Sequence, residues 1–87
     1  MKHAPKREIK HGNAYPFDAP DAFWNDDGSK PPPPKDWAHS AARGIISALQ
    51  DRRGIKHELD EHNIDEETRV EIVSEIASII RASAPKK

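Results

Sequence analysis

The chain contains no cysteine, which removes disulfide staples and thiolate zinc sites together. Hydrophobic residues make up only 34% of it and aromatic residues 6%, so any core is small. An 87-residue chain sets little buried apolar surface against its conformational entropy, and without disulfides the remaining supplement is association with further copies. No apolar run approaches the ~20 residues needed to cross a bilayer, and no secretory hydrophobic region opens the chain. The expectation is a soluble, cytoplasmic protein with no membrane contact. Catalytic signatures are missing too: there is no P-loop, no GxGxxG and no GxSxG, and no Ser or Thr has a His placed locally to activate it. These absences point away from an enzyme and from any cofactor. A net charge of −1 also disfavours nucleic acid as a partner, although a nucleic-acid-binding accessory role stays among the alternatives.

What is present is helical periodicity. In Asp65–Ala84 the apolar residues Ile72, Val73, Ile76, Ile79 and Ile80 recur at three- and four-residue spacing, which stacks them on one side of a helix. Asp65 suits the N-cap, Glu66 and Glu67 put negative charge on the first turn, and Arg81 and Pro85 mark the far end. Asp36 caps a second helical stretch running to Glu61. Here Trp37, Ala41, Ile45, Ala48, Arg52, Ile55 and Leu59 form one stripe, with Ala38 and Leu49 at its edge. The stripe keeps its phase across Gly54, so that glycine reads as an interior one, with a helix end at Gly54 as the alternative. Glu61–Ile64 is short enough to fold the two helices back on each other. At 1.5 Å per residue they would be about 38 Å and about 30 Å long. Gly44, with Ala41 and Ala48, would let another helix approach closely. Ile46, Val70 and Ala77 fall off the shared seam and add apolar surface. The expected fold is therefore all-α: an antiparallel two-helix hairpin that associates with copies of itself.

Before the helices comes an extended Pro-rich N-terminal arm. Met1–His11 is basic, with Lys2, Lys6, Arg7 and Lys10 against Glu8 alone; Gly12–Lys30 is acidic, with Asp18, Asp21, Asp26 and Asp27 against Lys30. The acidic part also holds Tyr15, Phe17, Phe23 and Trp24. Disordered tails are poor in aromatics, so these rings, with Trp37, are read as partner-binding groups that dock on the helices or on a neighbouring subunit. One short helical turn can start at Pro20. Pro31–Pro34 then acts as a stiff spacer. The organisation is an arm at 1–35, the hairpin at 36–84 and a basic tail at 85–87.

Two features bear on chemistry. The run His57–His62, HELDEH, resembles the zinc-protease HExxH but is one residue too long. Its histidines point about 140° apart on a helix and cannot share a metal, so no metal site is assigned; i, i+4 pairing of His57 with Glu61 and Glu58 with His62 is the simpler reading. Arg52 and Arg69 are the second feature, since both fall on apolar stripes on either side of the chain reversal. A buried cation must be paired. Either these arginines meet Glu66, Asp51 or an acid of another subunit, or Arg52 snorkels outward along its stem, or they form an anion site with Lys56 or Arg53 that receives phosphate. In the last case Tyr15, Trp24 or Trp37 offers a stacking surface for a base.

Residues 36–81 resemble small phage and prophage proteins with the pattern W-x3-A-A-R, D-R-x-G-I-K, I-D-x3-R-x-E-I-V and I-I-R. The order of an aromatic, proline-containing arm, a helix, a loop, an acid before Arg69 and a second helix ending in Arg81 is also similar to the phage hairpin proteins that sequester cyclic nucleotides against bacterial immunity. The longer acidic arm and the four-proline spacer depart from that layout. The resemblance implies a counter-defence role in the host cytoplasm and sites formed between subunits. The leading expectation is a non-catalytic protein that binds a host factor or other protein. A sponge for a cyclic or otherwise phosphorylated nucleotide is the alternative.

Overall fold

The computed structural model describes residues 16–25 and 30–85. Among these residues the protein is helical with no strand: α1 spans Asp21–Trp24, α2 Trp37–Gln50 and α3 Glu66–Ser83. The basic leader, Tyr15, Asp26, Asp27 and the final lysines lie outside the described residues.

The helix starts follow from their caps. The Asp36 side chain accepts the His39 N–H at 2.9 Å, and Asp65 accepts both the N–H and the hydroxyl of Thr68, satisfying amide groups that a helix start leaves without a partner. The Thr68 hydroxyl also holds the Asp65 carboxyl below its ordinary pKa. α1 begins directly after Pro20, and its first amide, that of Asp21, donates to the Glu66 carboxylate at the start of α3.

α2 departs from expectation at its far end. It stops at Gln50, making it about 21 Å long rather than 38 Å, and residues 51–64 form successive turns. Four residues beyond Gln50, Gly54 has a φ of +91°, in the left-handed region closed to a continuing helix. The turns are closed by amides donating backwards, Ile55 and Lys56 to Arg52 O and Leu59 to Ile55 O. The Gln50 amide reaches across them to Leu59 O and Glu61 Oε1. The i, i+4 pairs expected of His57 and His62 required a helix that is absent here. His62 Nε2 instead lies 3.7 Å from the carboxylate of Glu61.

The buried face of α2 is also not the expected one. Ala38, His39, Ala42, Arg43, Ile46 and Ser47 are buried, whereas Trp37 is 61% exposed and Ile45 43%. On α3 the buried residues are Arg69, Val73 and Ala77, so Ile46 and Ala77 lie in the core and Ile79 does not. The core consists of Phe17, Ala38, Ala42, Ile46, Val73 and Ala77, flanked by Leu59, Ile64, Ile72, Ile76 and Ile80. Half of its buried members are alanine, which lets α2 and α3 approach closely.

Asp36 also ties the start of α2 to the last turn of α3. Its two carboxylate oxygens accept from Arg81 Nε and Nη2 at 2.9 and 3.1 Å. The Arg81 bonds hold the Asp36 carboxyl down to about 2 from an ordinary 3.8, and Asp36 in turn raises Arg81. Because the folded pKa is depressed, this contribution is complete above 3.8 and is lost as pH falls through about 2. Asn still caps a helix but carries no charge. Urea denaturation of Asp36→Asn should therefore show a deficit against the parent at neutral pH that closes between pH 3.8 and about 2. At Gly54 an added Cβ would meet nothing within 4 Å, so Gly54→Ala should lower stability by roughly 1 kcal/mol from backbone strain alone, measurable in the same titration.

Candidate functional site

The most constrained side chain is that of Arg69, on the first turns of α3 and only 1% exposed. A guanidinium has five N–H donors, and all five are used. Nε donates to Phe17 O, Nη1 to Glu61 O and Ile64 O, and Nη2 to Ala19 O and to Asp21 Oδ1 at 2.7 Å. Two of these acceptors are arm carbonyls, two belong to the turns before α3, and the carboxylate opens α1. The bonds to Phe17 and Ala19 bring in an arm whose Phe17 ring is buried in the core and whose Ala19 is fully buried.

A second polar cluster holds the arm against α2. The Lys35 N–H donates to His39 Nδ1 at 2.7 Å, which leaves the ring proton on Nε2, donated to Asp18 Oδ2 at 2.8 Å. Arg43 Nε donates to the other Asp18 oxygen at 2.6 Å, and its Nη1 to Pro32 O. Asp18 thus receives a bond on each oxygen, and the proline spacer is anchored to α2. Sequence reasoning passed over His39 and Arg43, although their four-residue spacing places them on one side of a helix. Their acceptor was not legible, because Asp18 is 21 residues from one and 25 from the other.

The arginine pair separates. Arg69 is buried beneath the arm, whereas Arg52, Arg53 and Lys56 are exposed on the turns after α2, and Lys56 borders a hollow shared with Asp60 and Glu61. Arg69 meets Asp21 and four carbonyls rather than Glu66 or Asp51. Arg52 leaves the stripe because the helix ends before it. Among the expected partner-binding rings, Phe17 is buried, and Phe23 and Trp24 are half-buried and meet edge to face at 5.0 Å. Trp24 also lies edge-on to His62 at 6.3 Å. Trp37 stands outward. Tyr15 falls outside the described residues.

Asp60, Glu61 and His62 bring their ligand atoms within 4.8 Å of one another, but Asp60 already accepts the His62 N–H and Glu61 the Gln50 amide. No family model, no curated protein and no solved structure matches the chain. Among the described residues no helix is long and apolar enough to cross a membrane.

With these polar groups consumed internally, the distinctive outward feature is α2. Its outer side carries exposed Trp37, Ile45, Ala48 and Leu49 beside half-buried Ser40, Ala41 and Gly44, with no charged residue among them, because His39 and Arg43 are buried. α3 differs: Glu67, Glu71 and Glu75 alternate with Val70, Ser74 and Ser78 along its outer side.

If Arg69 is a structural clamp, Arg69→Met should cost about 3–5 kcal/mol in urea or thermal unfolding, because four carbonyls lose their donor. A phosphate-binding arginine would instead leave the stability of the unliganded protein unchanged or raised.

Proposed function

We propose that this is a non-catalytic binding protein that works by protein–protein contact. In this reading α2 and α3 form an antiparallel hairpin, the docked arm completes its core, and the outward apolar side chains meet a protein partner. The observation that carries the reading is the uncharged solvent side of α2. A helix that only faces water presents charged and polar groups there, and exposed apolar groups gathered on one side mark contact surfaces. The resemblance to phage and prophage proteins makes a host factor the natural partner and counter-defence in the host cytoplasm the natural setting.

Sequestration of a cyclic or other phosphorylated nucleotide gains nothing from Arg69, whose five donors are engaged. Arg52, Arg53 and Lys56 remain exposed cations without a shared pocket. The row of glutamates on α3 repels nucleic acid by the same Coulomb argument.

The test is a photoreactive phenylalanine analogue at Ile45, irradiated in the cells that make the protein. A cross-linked species heavier than the single chain is expected. Absence of any such species removes the contact reading.

A further inference from the structure

We infer that the proline run Pro31–Pro34 is a preformed ligand, whose outward ridge at Pro32 and Pro33 fits a groove lined by aromatic rings on a partner protein. This surface lies before α2 rather than around Ile45. It shares with the reading above only that the partner is a protein.

The conformation follows from covalent geometry. Proline fixes its own φ at about −65° and keeps the residue before it out of the helical region. Pro31, Pro32 and Pro33 each precede another proline, so three consecutive residues are held extended without any help from packing. The run is accordingly neither helix nor strand. A polyproline II helix has about three residues per turn, which puts Pro31 and Pro34 on one edge and turns Pro32 and Pro33 to the other two. Burial follows that period: Pro31 and Pro34 are half-buried, whereas Pro32 and Pro33 are exposed.

Two bonds fix which edge faces outward. Arg43 Nη1 donates to Pro32 O at 2.8 Å, and the Lys35 N–H donates to His39 Nδ1 at 2.7 Å. Arg43 and His39 are buried residues one turn apart on α2, so the run is clipped along the helix and not merely joined to its start. A loose proline-rich chain gives up its remaining freedom when it is captured, and a clipped one has little left to lose. Among the described residues Pro32 is the only one of the four prolines whose carbonyl is taken within the chain. The carbonyl of exposed Pro33 is left to accept from an indole N–H or a phenol O–H.

The chemistry of the ridge selects its partner. Prolines carry no N–H, so the run cannot extend a sheet edge as an added strand. Rigid apolar rings alternating with open carbonyls are instead what aromatic-lined grooves receive. Trp37, 61% exposed, is the next large apolar group along the chain and lengthens the surface on offer. Lys30 and Lys35 are exposed at the two ends of the run, so the matching groove has acidic groups at its rim.

The test uses the full-length chain with isotope-labelled amides, titrated with an isolated SH3 domain and an isolated WW domain, both of which take proline-rich segments on aromatic grooves. With at least one of them the amide signals of Lys30 and Lys35 and the indole signal of Trp37 should move, and approach saturation by about 1 mM domain. Pro32→Ala/Pro33→Ala should weaken that binding about tenfold with circular dichroism unchanged, because the replaced rings face solvent. Pro33→Ala alone leaves the residue bonded to Arg43 in place and should weaken it in the same direction.

If neither domain moves these signals, the inference is overturned. Binding that both replacements leave as tight as in the parent overturns it too, because the domain then sits elsewhere. The photo-cross-link at Ile45 reports on the other surface. A product there without binding at the proline run keeps the contact reading and removes this inference, whereas binding at the run without a product at Ile45 does the reverse.

Discussion

The Arg69 guanidinium is the constraint on which the arrangement depends. Its five bonds end on three separate segments: the arm at Phe17 and Ala19, the start of α1 at Asp21, and the turns at Glu61 and Ile64. Carbonyls buried beside a helix need donors that the helix cannot provide. A planar fork with five fixed N–H groups supplies them at once, which a lysine, a point charge, cannot do. Its charge is offset by Asp21, whose side chain is 61% exposed, so the pair is only half withdrawn from water. The full desolvation cost of a buried ion pair is thereby avoided.

The arm then decides which way α2 faces. Taken alone, that helix has Trp37, Ile45 and Leu49 on one side and Ile46 with the small Ala38 and Ala42 and the polar His39 and Arg43 on another. Periodicity favours burial of the first set. Asp18 reverses the choice by offering an acceptor to both His39 and Arg43, and Phe17 fills the space above the alanines. Once the polar pair is satisfied inside, the small residues become the inner face, and the close approach of α2 to α3 requires them to be small.

The parts legible from sequence are those fixed by neighbours in the chain. Asp36 and Asp65 cap their helices by accepting from the N–H three residues on, as N-cap side chains should. α3 ends beside Pro85, and the turn after Pro20 is present. The parts that were not legible depend on contacts across 21 to 52 residues. Such contacts set the face of α2 and the partner of Arg69, and no local pattern encodes them. Gly54 is the intermediate case. Its neighbours fitted a continuing stripe, but the helix ends before it, at Gln50, whose side chain bonds Leu59 and Glu61 across the turns.

The two halves of the structure are therefore coupled through a trade of polarity. A surface helix ordinarily keeps charge outward and apolar groups inward, but α2 holds its one arginine and its histidine inside and leaves an uncharged side to solvent. The arm supplies acceptors to that buried arginine, Asp18 and Pro32 among them, as a cation in a small core requires. The arm is in turn held by Arg69 on the other helix. An outward apolar surface on α2 is thus a consequence of how α3 grips the arm. Arg69 and Asp18 thus act on one segment, the first holding it to α3 through Phe17 and Ala19, the second to α2 through His39 and Arg43. The uncharged outer side of α2 and the docked arm are two consequences of one set of polar bonds.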